Sequence, residues 1–590
     1  MFILKGYYES VYNARWHHVV EVPGGEGTGM EVKEGKPKQS WTYKKAGNTF
    51  EKDDAVQQSG EAPPRLMVLT SDKGWPYTMN GPHRCGNDLC VNCEVERVWQ
   101  IVKGDLTEWF SNFDLTLNPS PVPHVLIGTP GIGKSMAAGS YLLYQLLHCD
   151  VEKLQVVVHC FGITMYVFDK TTKTVKKYVG EITSKNVLDG LWQRGVKGYI
   201  IYDVARKGTP PDTGFAPSSG WGMIVVSSPN LDNYDEWETQ VQASRIIMNC
   251  SDEMDVKAMC AWMKRGLKPD KQAGYWRMVK ERMDKVGPIL RYIFDEGSYK
   301  DRLGAVNGAL LAIKDTDVEE HFTLRGSRLW YSEDPSQKLV KVVREITKKG
   351  VEVFLNASIS ADIGFRIADR LEKKTGAKNL LLIILGSHGA LASRALEQLG
   401  LRAFMYGELV CALVKGLKEL RPPERNEARD SVLKVNHQGH PTRAVGLEEL
   451  QGGVTRIPME YGVLYLPKVE NFPLVDGFFF VDSPWRTLVG LQMTTASAHH
   501  TTTSTVRQFT ECLAAYFEGW DELSRDMSWE MIYIKNAFSK KILKWQRCDV
   551  VNPNNETDAE KKIVAFWNKE VHQYQFMLTS DFLSKITEMW

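Results

Sequence analysis

His124-Val125-Leu126-Ile127-Gly128-Thr129-Pro130-Gly131-Ile132-Gly133-Lys134-Ser135 is the stretch that decides the fold. A short apolar run, a strand candidate, leads into a loop that fits the G-x-x-x-x-G-K-[ST] pattern at every position. The glycines let backbone N–H groups turn inward around a β-phosphate, where a side chain would obstruct them. Lys134 is placed to neutralise β- and γ-phosphates, and the Ser135 hydroxyl to join a Mg²⁺ shell. A helix opening here adds its positive dipole end. The ligand these residues call for is a nucleoside triphosphate, ATP or another, with Mg²⁺. Gly128, Thr129, Pro130, Gly131, Ile132, Gly133, Lys134 and Ser135 are its candidate binding residues.

Working outward, strands are predicted at His124–Ile127, Leu154–Cys160, Tyr199–Tyr202, Met223–Val226 and Arg245–Asn249. A helix is expected after Lys134, and helical pattern dominates from Val256 to Ile313. Strands alternating with helices predict an α/β fold with a mostly parallel sheet covered on both faces. Gly198-Tyr199-Ile200-Ile201-Tyr202-Asp203 then supplies the second half of the site. Asp203 ends an apolar strand and is the candidate carboxylate on the Mg²⁺ side, catalytic together with Lys134. Fast ATPases of the AAA type place a Glu directly after that Asp to polarise the attacking water. Here Val204 follows, so hydrolysis is expected to be slow. Ser227-Ser228-Pro229-Asn230, at the next strand's end, is a candidate γ-phosphate sensor. Arg291, in Gly287-Pro288-Ile289-Leu290-Arg291, is a candidate nucleotide contact from a helical lid.

The chain has 590 residues, too many for one core. Lys+Arg (73) and Asp+Glu (72) nearly cancel, which argues against a constitutively basic nucleic-acid binder. The start lacks the pattern of a secretory signal, and no run reaches the length of a membrane span; the longest apolar run, Leu380 to Leu385, is expected to be a buried strand. The ten cysteines are scattered rather than arranged as a disulfide framework. A soluble intracellular protein that makes no membrane contact is the expectation. A helix is predicted over Asn92–Phe110 and a strand over His18–Val22. Asp315–Gln337 and Arg421–Ala444 read as connectors.

Longer segments carry a family resemblance. They are Arg15-Trp16-His17-His18-Val19-Val20-Glu21-Val22, Arg65-Leu66-Met67-Val68-Leu69-Thr70-Ser71-Asp72-Lys73-Gly74-Trp75 and Val91-Asn92-Cys93-Glu94-Val95-Glu96-Arg97-Val98-Trp99. Trp545-Gln546-Arg547-Cys548-Asp549 and Val564-Ala565-Phe566-Trp567-Asn568-Lys569 join them near the end. With the loop Gly128–Ser135, these resemble the retrotransposon hot spot proteins of trypanosomatids, a large multigene family. The resemblance implies a header region, a P-loop NTPase core and a distinct C-terminal domain; with the pattern along the chain the expected division is header (1–115), P-loop core (116–250), helical lid and connector (251–375) and a C-terminal α+β domain (376–590). It also implies a nuclear or perinuclear setting, with nuclear proteins or nucleic acid as partners in transcription or RNA handling. The architecture is similar to that of Crinkler-type effectors, whose last domain is often a restriction-endonuclease-like nuclease.

The nuclease reading needs carboxylates beside a Lys on neighbouring strands. Asp476 opens the strand Gly477–Val481, and Gln492 near the end of Leu488–Met493 takes the Glu/Gln place. Glu408 is the helix candidate. Thr494 stands where Lys is expected, so a degenerate, inactive domain is predicted, with Asp476 and Gln492 on one face of adjacent antiparallel strands. Further strands are read at Val463–Leu466 and Met531–Ile534, and a helix near Val506–Phe517. His83, Cys85, Cys90 and Cys93 crowd into 11 residues, too close for the two separated knuckles of a usual zinc site. His499-His500 reads as a polar strand exit.

Overall fold

The computed structural model describes residues 1–22, 25–53, 63–80, 86–111, 120–204, 209–212, 214–217, 219–313, 327–330, 335–347, 349–376, 398, 400–422, 429–447, 456–469, 472–494, 500–536, 541–550, 557–579 and 582. The run Leu380–Leu385, His83, Cys85, His499, most of Asp315–Gln337 and the middle of Arg421–Ala444 lie outside them. The chain divides into two compact units, one of residues 1–312 and 326–360, the other of 313–325 and 361–590.

The first unit is built on an eight-stranded sheet. Five strands form its parallel part, in the order Val156–Phe161, Gly198–Asp203, Trp221–Ser227, His124–Gly128, Ser244–Met248. These are the five predicted strands, each shifted at its ends by a residue or two. Their near-continuous apolar runs suit strands buried on both faces. The sheet then continues past Val156–Phe161 through the antiparallel strands Thr164–Asp169 and Thr174–Val179 to Phe2–Ile3. That extension was not predicted. The turn between Thr164–Asp169 and Thr174–Val179 has no Gly. Instead the Asp169 carboxylate accepts from the backbone N of Thr171 (2.9 Å) and Thr172 (3.0 Å), and Lys173 takes φ +51°.

An N-terminal antiparallel sheet runs in the order Met30–Glu34, Arg15–Glu21, Leu66–Thr70, Asp88–Val91. Its Val19, Leu66 and Val68 pack on Ala258, Met259, Ala261 and Trp262 of the helix Glu253–Met263. The helix Cys93–Ser111 follows, burying Val95, Val98, Trp99, Ile101 and Val102 on the predicted stripe.

A hairpin, Val340–Ile346 with Glu352–Ser358, completes the unit where sequence reading expected only connector. A buried ionic network fixes it. Arg97 Nη1 pairs with Glu352 Oε1 at 2.5 Å, both side chains 1% exposed, and Arg97 Nη2 donates to the Ile247 carbonyl at 2.5 Å. Ile247 N donates to Glu352 Oε2 (2.5 Å), and Arg344 forks onto Glu94 at 2.6 and 2.9 Å. These bonds tie the helix Cys93–Ser111, the sheet strand Ser244–Met248 and the hairpin together.

The second unit carries a seven-stranded mixed sheet, in the order Lys418–Leu420, Val571–Leu578, Ser528–Asn536, Thr487–Met493, Gly477–Val481, Val463–Pro467, Arg443–Leu447. One face packs Phe478, Phe480, Leu488 and Met531 against Phe509, Leu513 and Trp567 of the helices Thr503–Tyr516 and Asp558–Glu570. The other packs Phe479, Val489, Leu491 and Ile532 against Leu409, Val410 and Leu413 of Gly407–Lys415. The unit is α+β, as expected. Among the described residues, no helix is long and apolar enough to cross a membrane.

Candidate functional site

The strand His124–Gly128 delivers the loop to the end of the parallel strands, and a π-helical turn, Lys134–Gly139, opens the helix behind it. Such widened turns are rare and concentrate at functional sites. Gly131 (φ +90°) and Gly133 (φ +104°) hold the loop in left-handed conformation, and a Cβ on Gly128 would sit 2.7 Å from the Met248 carbonyl. The loop's shape therefore requires glycine at all three places. Pro130 is exposed and Ile132 buried. Thr129 is buried too, its hydroxyl accepting from Val342 N (2.8 Å) on the hairpin.

Lys134 folds back over its own loop, its ammonium donating to the carbonyls of Gly128 (2.6 Å) and Thr129 (2.9 Å). Burial lowers its pKa to about 7 against the pull of Asp203. Ser135 Oγ donates to Asp203 Oδ1 at 2.7 Å, so the two residues expected to share a metal shell are in contact. Burial raises the Asp203 pKa to about 7, opposed by the Ser135 hydrogen bond and by Lys134. The second oxygen, Asp203 Oδ2, is buried without a hydrogen-bond partner. An orphaned carboxylate oxygen beside a hydroxyl is the donor set a hard divalent cation takes, so these residues fit Mg²⁺.

A cavity of about 780 Å³ opens on the loop, within the range of small-molecule sites. Gly131 through Ala137 line one part of it. Arg291 lines it as well, and its backbone N donates to the Gly131 carbonyl at 3.3 Å, which lays the Gly287–Arg291 turn on the loop. Lys134, Ser135, Asp203 and Arg291 thus converge. Ser227, Ser228 and Asn230 are not among the residues lining the cavity. Ser227 Oγ donates to the Ser228 carbonyl, Asn233 Nδ2 to Ser228 Oγ, and Asn230 Oδ1 accepts from Asp232 N.

Sequence reading missed two contributors. The first is the hairpin bond to Thr129. The second is the N-terminal sheet, whose Asp88 and Cys90, with Tyr77, Asn92 and Val95, line the same cavity. A signal was present: Glu94, Glu96 and Arg97 interrupt an apolar helical stripe, and charges in such a stripe need buried partners.

Other candidates came out differently. Cys90 and Cys93 are free thiols, pushed up to about 12 by burial. No group of three or more His, Cys, Asp or Glu among the described residues could hold a metal. His500 Nδ1 accepts from Arg547 N at 3.0 Å. In the C-terminal sheet the antiparallel pairing ends at Gly477↔Leu491, so Asp476 and Gln492 lie at the same end of adjacent strands, with the Asp476 carboxylate turned onto Met493 N. Glu408 is exposed, on the helix that covers the opposite face, and does not meet them.

A family model described as retrotransposon hot spot protein, P-loop domain, matches residues 125–421, and one for the N-terminal region of these proteins matches 8–118. No curated protein matches. Among solved structures, the chain is similar to the ORC2 protein of Aeropyrum pernix in its ADPNP–ADP complexes. Identity there is 10%, over 48% of this chain and 95% of that one, at TM-score 0.21. It is also similar to a signal transduction ATPase with numerous domains, bearing a tetratricopeptide repeat sensor, from Pyrococcus horikoshii. That match has 12% identity over 53% of this chain and 50% of that one, at TM-score 0.16.

Proposed function

Because the chain belongs to the retrotransposon hot spot protein family, we propose that it binds ATP or another nucleoside triphosphate with Mg²⁺ and uses it as a slow-turnover conformational switch. The observation that carries this reading is the Ser135–Asp203 contact with the unpartnered Asp203 Oδ2 behind it. Lys134 would exchange its two loop carbonyls for phosphate oxygens, regaining through them the charge that burial disfavours. Ser135 and Asp203 would hold Mg²⁺, which offsets phosphate charge when bound. Arg291, already against the loop, would reach the γ-phosphate. Slow turnover follows from the carboxylates at hand. Val204 follows Asp203, and the acidic residues among those lining the cavity are Asp88 and Asp295. Asp88 is braced by Thr70 and Trp262, and Asp295 caps Ser298 N, so each already has a structural task.

The remaining regions would carry the interactions, with nuclear proteins or nucleic acid in transcription or RNA handling. Fluorescent-nucleotide binding run beside a turnover assay tests the core of this. Lys134→Ala should weaken nucleotide affinity at least tenfold, ~1.4 kcal/mol. Equal affinity in variant and wild type would sink the phosphate-loop reading. Tight binding with no turnover at all would favour a non-hydrolysing nuclear scaffold instead.

A further inference from the structure

The phosphates of a bound nucleotide belong to the Gly131–Ser135 side of the cavity, where N–H groups and Lys134 lie. The rest of the lining differs in chemistry. The helix Glu253–Met263 gives it Met259, Trp262 and Met263, and the N-terminal sheet gives it Asp88. An apolar wall offers nothing to a triphosphate, and a carboxylate repels one. Asp88 therefore has to face the uncharged half of the ligand.

We infer that the N-terminal sheet forms the nucleoside-side wall of this cavity, with Asp88 accepting a hydrogen bond from the base or ribose of a purine nucleotide. The inference rests on the phosphate-loop reading and deepens it. Asp88 is held ready for such a bond. Thr70 Oγ1 donates to its Oδ1 at 2.7 Å and Trp262 Nε1 to its Oδ2 at 2.9 Å. A carboxylate offers about four lone-pair sites, so two stay open and their direction is fixed. Arg265, which also lines the cavity, sets its guanidinium 3.8 Å from the Trp262 ring and braces the indole. Asn92 locks the wall to the P-loop half of the unit, donating to Ser251 Oγ (3.2 Å) and Asp255 Oδ2 (2.9 Å) while its Oδ1 caps Val95 N. The apolar side chains supply a surface for a flat ring system, and about 780 Å³ leaves room for the larger, purine class.

The test compares ATP with tripolyphosphate, which has the phosphates and no nucleoside, on the full chain. Asp88→Asn keeps both existing contacts, since an amide can accept from Trp262 and donate to Thr70. It should weaken ATP at least fivefold and tripolyphosphate less than twofold. Met263→Ala, at a side chain 45% exposed whose loss leaves the core intact, should show the same split. 2′-Deoxy-ATP and inosine triphosphate then identify the donor, because the analogue lacking it loses its sensitivity to Asp88→Asn. Equal losses for ATP and tripolyphosphate, or no loss for either, would overturn the inference while the phosphate loop stands. A wild-type chain that binds neither probe would overturn both.

Discussion

Each of the two units places a carboxylate at the end of an interior strand of its sheet, and the two carboxylates differ in what holds them. Asp203 gives Oδ1 to Ser135 and leaves Oδ2 buried and unpartnered. Asp476 gives Oδ2 to the backbone N of Met493 at 2.8 Å, while its own N donates to the Leu491 carbonyl. The first arrangement is costly unless something comes to fill it, because a buried polar group without a partner forfeits its hydration. The second is complete in itself: the carboxylate ends the antiparallel ladder by supplying the acceptor that a strand carbonyl would have supplied. A strand-end Asp is therefore a ligand site only where the fold leaves it short of partners. Sequence pattern alone treats the two alike.

The comparison breaks most severely if the first unit is not held as the buried charges imply. Arg97→Ala strips Glu352 of its ion pair in a site that excludes water, and removing one partner of such a pair costs about 3–5 kcal/mol. Segment-resolved hydrogen exchange should show the loss across residues 1–312 and 340–358, with the C-terminal sheet unchanged. A loss below about 1 kcal/mol would mean that the pair behaves as an exposed one.

The next largest effect tests the second unit. Glu530 is fully buried, accepting from Ser431 Oγ (2.6 Å) and Val432 N (2.8 Å), and burial raises its pKa to about 7 despite both bonds. The folded state thus keeps a proton that the unfolded chain gives up near its ordinary value of 4.5. Stability from this group is greatest on the acid side and is lost as pH rises through about 7, by roughly 2 kcal/mol between about pH 5.5 and 8. Glu530→Gln should flatten the dependence in pH-resolved exchange over the C-terminal sheet. An unchanged slope would locate the titrating group elsewhere.

A smaller effect sharpens the contrast of the carboxylates. Asp203→Asn should leave nucleotide binding measurable but remove its Mg²⁺ dependence, a change of about tenfold or ~1.4 kcal/mol, because an amide brings no charge to the ion's shell. Titration with and without Mg²⁺ reads it directly; a variant that keeps the full Mg²⁺ response would take Asp203 out of the metal site.

What was legible follows from how each feature is encoded. The loop Gly128–Ser135 is contiguous, so its chemistry and its turn are written in one string. The parallel strands were read because burial on both faces makes them uniformly apolar. The hairpins were not. The Thr164–Val179 pair turns on Asp169 and Lys173 rather than on an Asn-Gly signal, and Val340–Ser358 owes its place to Glu352, Arg344 and Thr129 bonds that span more than 90 residues. The helix Asp558–Glu570 carries a full capping box in Thr557 and Glu560, a local signal that was there to be read. The cavity's N-terminal wall had no motif at all, since Asp88 and Trp262 meet only through tertiary packing.

The smallest expected effect is none: no measurable Mg²⁺-dependent cleavage of DNA or RNA by the full chain. Half of the geometry for a nuclease is present, with Asp476 and Gln492 at the same end of adjacent antiparallel strands. The other half is not. Glu408 sits on the helix over the opposite face, Asp476 Oδ2 is engaged by Met493 N, and Thr494 has neither the charge nor the reach of a Lys. One residue complicates the case. Thr494 N donates to the Ile534 carbonyl, so the next residue of that parallel strand, Lys535, lies beside Thr494 and on the face of Gln492. Its side chain is buried, and burial lowers its pKa, the direction that would suit a proton acceptor. Position alone does not make it one, because a metal held by a single committed carboxylate and an amide would be bound too weakly to activate water. The assay is therefore run on wild type and on Lys535→Met together. Absence of cleavage in both agrees with an inactive sheet. Cleavage in wild type that disappears in Lys535→Met would show that the neighbouring strand supplies the missing Lys, and that the carboxylate judged complete in itself was a ligand after all.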